Sequence, residues 1–108
     1  MNFNVKTLAE FEHSFKKLLK KYPSLKNDVH KLILQLETTP AIGVSLGHDF
    51  YKIRISISSK RKGKSGGGRI ITCVKIIQNT VYLAAIYDKS AKSTLSDAEL
   101  RLLANNIG

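Results

Sequence analysis

The stretch that decides the fold is residues 50–74, FYKIRISISSKRKGKSGGGRIITCV, in which two apolar segments flank a basic, glycine-rich loop. In the first segment, apolar residues alternate with Lys52, Arg54 and Ser56. This alternation predicts a strand with one buried face and one solvent face. The second segment opens at Arg69 and is apolar on both sides, which predicts a central strand of a sheet. We therefore predict a sheet with one cationic face suited to phosphate.

The positive charge of the chain is concentrated in this middle region. The net charge is +10, of which residues 50–92 contribute +9, residues 1–49 contribute +2 and residues 93–108 contribute −1. Self-repulsion makes such a concentration costly to the fold, so the pattern favours a polyanionic partner, above all a nucleic acid. The alternative is a solvated face that only aids solubility.

The bulk composition limits the classes of protein that need to be considered. A length of 108 residues fits a single domain, residues 1–108, with a core of its own. No apolar run is long enough for a membrane span, and no signal peptide is recognisable, so we expect a cytoplasmic protein with no membrane partner. Cys73 is alone, which excludes an internal disulfide, and we predict neither a metal site nor a cofactor.

The first half of the chain predicts a short strand followed by a helical hairpin. Thr7 and Glu10 have the spacing of a capping box, which predicts the start of the first helix. Pro23 ends that helix, and Ser24 is suited to cap a second one. Each helix has an apolar stripe, and so short a turn predicts two antiparallel neighbours.

The second half predicts three strands and a closing helix. The segment 38–49 is interrupted by proline and glycine, which predicts an irregular connection. Strands are expected at about 50–58, 69–77 and 80–87, and a capping box formed by Ser96 and Glu99 predicts a short helix from Asp97 to about Asn105. The fold class is therefore α+β, in the order β-α-α-β-β-β-α. An N-terminal helical hairpin packs on a small antiparallel sheet, with a short C-terminal helix.

Several segments, taken in order and spacing over almost the full length, resemble the RelE/ParE superfamily of bacterial toxins and more closely its HigB-like members. The strongest are residues 51–54 (YKIR), residues 60–72 with the basic loop and the glycines, and residues 86–90 (IYDKS). The later residues 95–100 (LSDAEL) are also typical of the superfamily.

The resemblance implies the toxin of a type II toxin–antitoxin system. It implies a metal-independent endoribonuclease that cuts mRNA in the ribosomal A site, with mRNA and ribosomal RNA as partners. A cognate antitoxin, often a helix-turn-helix DNA-binding protein, is implied as well. The alternative that the superfamily offers is a ParE-like inhibitor of DNA gyrase without nuclease activity. A plain RNA-binding protein without catalysis is a third hypothesis.

The resemblance also nominates catalytic residues. The two cations of the superfamily's catalytic strand match Lys52 and Arg54, and its arginine on the next strand matches Arg69. A cation after the last strand matches Lys89. The tyrosine or aspartate that some HigB-like enzymes use matches Tyr87 and Asp88. RelE relies on a tyrosine near its C-terminus that this chain lacks, so the identity of the base stays open.

The residues themselves suit RNA cleavage by attack of the 2′-hydroxyl. Lys52 and Arg54 project from the same face of a strand, about 7 Å apart. Arginine side chains stay charged and are suited to clamp the phosphate and to stabilise charge in the transition state. Lys52 serves as base if neighbouring cations drive it towards the neutral amine, and Tyr87 and Asp88 are alternative proton carriers.

The cations of the central loop have a different predicted role. Their setting among glycine and serine predicts a mobile segment, which suits contact with the RNA backbone more than catalysis. We predict that they bind ribosomal RNA near the decoding site. These residues are Lys60, Arg61, Lys62 and Lys64.

Overall fold

The structure, a computed structural model, describes residues 2–60, 67–92 and 94–107. Its strands are β1 (Asn4–Thr7), β2 (Val44–Gly47), β3 (Phe50–Ile55), β4 (Gly68–Lys75) and β5 (Thr80–Asp88), and its helices are α1 (Ala9–Lys21), α2 (Leu25–Thr38) and α3 (Asp97–Asn105). A single 3₁₀ turn, Ser58–Lys60, follows β3. The predicted α+β class, with a helical hairpin on a sheet, is confirmed. The predictions for Arg61, Lys62 and Lys64 lie outside the described residues.

The five strands form one sheet in the order β1-β5-β4-β3-β2. The strand with apolar residues on both sides, β4, is the middle one, as predicted. The sheet is mixed and not purely antiparallel, because β1 pairs with β5 in parallel while the other neighbours are antiparallel. The direction of β1 depends on how the helical hairpin connects it to the rest of the sheet. The four residues of β1 contain no local pattern from which this direction could be predicted.

Strand β2 lies within the segment that was predicted to be irregular. It is only four residues long and largely exposed, so the alternation of Val44 and Leu46 with Ser45 and Gly47 is too short to mark a strand. It joins β3 through a two-residue turn in which His48 and Asp49 have positive φ angles of 52° and 70°. Two positive φ angles in succession match the twist of a tight hairpin.

The helix starts agree with the predictions in part. The predicted capping box at Thr7 is wrong: Thr7 belongs to β1, Leu8 is the N-cap of α1 without a side-chain bond, and the Thr7 hydroxyl donates to Glu12. Ser24 is the N-cap of α2, but its hydroxyl makes no capping bond. The capping box of Ser96 and Glu99 at α3 is present in both directions.

The core has two layers, one on each face of the sheet. On the hairpin face, Phe11 of α1 and Leu32 of α2 are buried against alternate residues of the strands, which include Ile53, Ile70 and Leu83. The opposite face, which we call the α3 face, packs Leu103 with Phe50, Ile71, Cys73 and Tyr87. Because both faces are covered, β4 is buried from Gly68 to Val74. Within the described residues, no helix is long and apolar enough to cross a membrane.

Candidate active site

Three predicted residues lie side by side across three strands and form what we call the cationic row. Arg54 of β3 pairs with Arg69 of β4, and Arg69 pairs with Tyr87 of β5. Residues directly opposite each other in an antiparallel sheet project from the same face. Ile53 and Ile55, on either side of Arg54, pack towards the helical hairpin, so the row projects from the α3 face.

Lys52 lies one step along the same face. It is two residues before Arg54 and pairs with Ile71, which is buried on the α3 side. Lys52 is half-buried and Arg54 is exposed. The alternation of β3 and its register with β4 and β5 thus bring together four of the predicted residues, Lys52, Arg54, Arg69 and Tyr87.

Arg69 is the most enclosed member of the cationic row. Its side chain is buried, with 3% of the residue exposed, and one guanidinium nitrogen donates to the carbonyl oxygen of Gly68 at 3.0 Å. Like charges directly opposite each other weaken a strand pair, so the pairing of Arg54 with Arg69 has a cost. A phosphate bound between the two guanidinium groups would offset that repulsion.

Tyr87 closes the row with a buried hydroxyl. The residue is 9% exposed, and its Oη atom is buried without a hydrogen-bond partner among the described residues. Burial raises the pKa of Tyr87, the nearby Arg69 charge opposes this rise, and Glu99 of α3 adds to it. The phenol is therefore protonated at neutral pH.

Asp88 does not join the row, because the next residue of a strand projects from the opposite face. Its carboxylate accepts from Tyr22 Oη at 2.9 Å, from Lys60 Nζ at 2.7 Å, and from the amide and hydroxyl of Ser90 at 3.0 and 2.8 Å. Burial tends to raise the pKa of Asp88, but these donors outweigh it and hold the pKa well below its usual range. The structure therefore separates Asp88 from the site where a proton carrier was predicted.

Lys60 also lies elsewhere than its predicted role requires. Its ammonium group forms an ion pair with Asp88, in which the side chains are only 8% and 7% exposed, and it sits 5.4 Å from the centre of the Tyr22 ring. A lysine enclosed in this way is not a mobile loop contact. The sequence could not show this, because the partner carboxylate lies 28 residues further along the chain.

The remaining predicted residue of the site, Lys89, lies two residues after Tyr87, just past the end of β5. It is exposed, and its backbone N–H donates to the carbonyl oxygen of Gly67 at 3.2 Å. Among the described residues, no group of histidine, cysteine and acidic side chains is arranged to hold a metal ion.

Sequence reasoning missed one polar contact near the site. The hydroxyl of Tyr22, at the C-cap of α1, donates to Asp88, 66 residues away. The aromatic ring satisfies the helical pattern whether or not its hydroxyl has a partner, so no sequence signal pairs the two residues.

The architecture is that of a bacterial toxin of known structure. A structure of a mutant Escherichia coli toxin RelE in the free state matches with a TM-score of 0.67 at 17% identity, over 94% of this chain and 99% of that one. The isolated E. coli RelE toxin matches with a TM-score of 0.61 at 14% identity, over 95% and 97% of the two chains. The protein therefore has the RelE toxin fold.

Comparisons of sequence alone add nothing to this result. No protein-family profile matches the chain, and no curated protein matches it.

Proposed function

We propose that this protein is the toxin of a type II toxin–antitoxin pair and that it cleaves mRNA in the ribosomal A site. The observation that carries the proposal is the cationic row, with Arg54, Arg69 and Tyr87 in register across β3, β4 and β5 of a RelE fold. The half-buried Lys52 beside the row supports it further.

The reaction that suits these groups is an internal transfer within the RNA chain. The 2′-oxygen attacks the adjacent phosphorus, the bond from phosphorus to the 5′-oxygen breaks, and a 2′,3′-cyclic phosphate and a free 5′-hydroxyl result. One group takes the proton of the 2′-hydroxyl and another supplies a proton to the leaving oxygen. Cations stabilise the charge that collects on the phosphate in the transition state.

We assign these tasks by chemistry and position. Arg54 and Arg69 hold the phosphate, since guanidinium groups stay charged and bind phosphate oxygens in pairs. Tyr87 protonates the leaving oxygen, because burial raises its pKa and keeps the phenol protonated at neutral pH. Lys52, as the neutral amine, takes the proton of the 2′-hydroxyl, and Lys89 adds positive charge at the end of β5.

The loop cations Arg61, Lys62 and Lys64 are proposed to bind ribosomal RNA. Each phosphate contact that is lost should reduce the slope of log affinity against log salt concentration by about 0.7–0.9. We expect Lys62→Ala to lower this slope for ribosome binding. Lys17→Ala, which removes an exposed lysine of α1, is the matched control and should leave the slope unchanged.

The partners follow from the proposed activity. A protein that destroys mRNA requires an inhibitor in the same cell, so we propose a cognate antitoxin, of helix-turn-helix type, encoded beside this gene, and a cytoplasmic site of action. Sequencing the neighbouring open reading frame tests this part. The absence of a small acidic or helix-turn-helix protein there would count against it.

Programmed ribosomes provide the decisive test. Purified protein is incubated with ribosomes that carry a defined mRNA, and the 3′ ends are mapped and tested for the cyclic phosphate. We expect cuts within the A-site codon, loss of cutting in Arg69→Ala, and normal cutting in Lys17→Ala. Intact mRNA would refute the proposal. Inhibition of gyrase supercoiling by the same preparation would then identify a gyrase poison, and RNA binding without cleavage would identify a binding protein.

A further inference from the structure

A partly buried polar cluster lies on the hairpin side of the sheet, directly behind the cationic row. We call it the Asp88 cluster and define it as Tyr22, Lys60, Asp88 and Ser90. One carboxylate there receives four hydrogen bonds of 2.7 to 3.0 Å. Three of its members come from distant parts of the chain: the C-cap of α1, the turn after β3 and the last residue of β5.

The segments immediately before and after residues 61–66 are both held near the Asp88 cluster. Lys60 precedes this segment and is bound to the Asp88 side chain. Gly67 and Gly68 follow it; Gly67 accepts a hydrogen bond from the Lys89 amide, and Gly68 pairs with Asp88 in the sheet. Both segments therefore contact Asp88 or Lys89, at the end of β5.

A second set of hydrogen bonds holds the turn that carries Lys60. Asp28 of α2 accepts from the amide and hydroxyl of Ser58 at 3.1 and 2.8 Å. The Ser59 amide donates to the hydroxyl of Ser24 at 2.8 Å, and that hydroxyl in turn donates to Asp28 at 3.0 Å. Lys60 is thus presented to Asp88 from a fixed backbone, so the ion pair can resist movement of β5.

Strand geometry connects this cluster to the row on the other face. Adjacent residues of a strand project from opposite faces. The bonds that hold the Asp88 side chain on the hairpin side therefore also fix the direction in which Tyr87 projects. Arg69 pairs with Tyr87 and follows Gly68, which pairs with Asp88. The positions of the phenol and of the buried guanidinium therefore depend on the same end of β5.

We propose that Asp88 is a positioning residue: its ion pair with Lys60 and its bond to Tyr22 set the end of β5, and thereby the placement of Tyr87 beside Arg69. The inference rests on the proposed function, since it concerns the same site. Asp88 transfers no proton in this scheme, because its carboxylate lies on the far side of the sheet and is occupied by donors.

The test compares three variants: Asp88→Asn, Lys60→Met, and the two together. Each single change leaves the other partner buried without its counter-charge, whereas the double change removes both. Single-turnover cleavage on programmed ribosomes is measured together with ribosome affinity, at a temperature where thermal melts show every variant folded. We expect both single variants to lose about tenfold or more in cleavage rate with unchanged affinity, since small misplacements of reacting groups are costly. The double variant should recover most of that loss.

Two results would overturn the inference. If Asp88→Asn abolishes cleavage while Lys60→Met cuts normally and the double variant shows no recovery, Asp88 is a proton carrier. If all folded variants cut at the normal rate, the cluster only stabilises the fold. Should neither single variant fold, Tyr22→Phe removes one of the four hydrogen bonds and keeps the ion pair. A normal rate in that variant would count against positioning, and a severalfold loss with unchanged affinity would support it.

A second readout separates this inference from the proposed function. Carbon-13 labels on the tyrosine rings give a signal for each of the four tyrosines. The Tyr87 signal should shift in both single variants and return towards its original position in the double variant, whether or not the wild-type protein cuts mRNA. Absence of cutting by the wild type would refute the nuclease proposal alone, whereas a Tyr87 signal that stays in place would refute the positioning role.

Discussion

Replacing Tyr87 by phenylalanine should stabilise the protein and impair its activity. The substitution removes a buried oxygen that has no hydrogen-bond partner among the described residues and keeps the ring that packs on the α3 face. A buried polar group without a partner costs about 1–3 kcal/mol of desolvation. Taking the low end, we expect the free energy of unfolding to rise by about 1 kcal/mol, which raises the melting temperature by about 4 °C in a domain of this size.

The effect on cleavage should have the opposite sign. A positioned side chain that transfers a proton in the transition state contributes about 10²- to 10⁴-fold to the rate. Tyr87→Phe should lose that factor in single-turnover cleavage on ribosomes, with ribosome affinity unchanged. A gain in stability together with a loss of rate is typical of a residue kept for chemistry and not for packing.

The pH dependence of stability provides an independent check on the buried phenol. Because burial raises the pKa of Tyr87 in the folded state above its unfolded value, the folded protein holds this proton more tightly. The resulting contribution to stability is fully present below about pH 10 and is lost as the pH rises through the folded-state pKa. Urea titrations in alkaline buffers should show this decline in the wild type and a smaller one in Tyr87→Phe.

Tyr82→Phe is the matched control. Tyr82 lies on the same strand, is half-buried, and its hydroxyl donates to Gln78 Oε1 at 2.9 Å. Removing a bonded hydroxyl should lower the free energy of unfolding by about 0.5–1.5 kcal/mol and leave cleavage unchanged. A loss of stability in Tyr87→Phe would show that its hydroxyl has a partner. An unchanged cleavage rate in that variant would refute its role as the acid.

Three further predictions concern other parts of the molecule. Arg54→Ala should lower the cleavage rate about 10²- to 10³-fold in single-turnover assays, because it removes a cation from the transition state, whereas Lys17→Ala should not. In Asp88→Asn, the free energy of unfolding should fall less steeply than in the wild type as the pH is lowered into acid. The folded-state pKa of Asp88 lies below its unfolded value. Its contribution to stability is therefore present above about pH 4 and is lost as the pH falls through the folded-state pKa. Urea melts from neutral pH into acid measure this, and an unchanged dependence on pH would contradict it. Gly43→Ala should destabilise the protein more than Gly47→Ala in the same melts. Both glycines have positive φ angles, so the backbone strain is similar. A Cβ atom at Gly43 would lie 2.4 Å from a backbone carbonyl oxygen of β3, whereas one at Gly47 would meet no atom within 4 Å. Equal losses would show that β3 yields to the added atom.

The parts of the fold that could be predicted are those with a strong local pattern. The alternation at Lys52 and Arg54 marked β3, the apolar run of β4 marked the central strand, and Ser96 with Glu99 marked the start of α3. In each case the physical cause lies within a few residues of the chain. The parallel pairing of β1 was not predicted, because its partner β5 is distant in sequence. Strand β2 was not predicted because it is short and exposed, although its partner β3 follows it directly.

The candidate site divides in the same way. Two cations on one face of β3 follow from a period of two residues, so their shared direction was available from the sequence. The alignment of Arg54, Arg69 and Tyr87 depends on the register of two strand pairs, and a shift of one residue would have turned either partner to the other face.

By itself, the sequence determined that this is a small α+β domain with a strongly cationic sheet, because strand alternation, helix caps and charge are local properties. Only the tertiary structure decided which of the predicted residues belong together. It joined Arg54, Arg69 and Tyr87 in one row, and it placed Lys60 and Asp88 on the opposite, hairpin side of the sheet by pairing them at 2.7 Å. The physical reason is that a buried lysine and a buried carboxylate compensate each other's charge, and the sequence does not report which charges will meet in the interior.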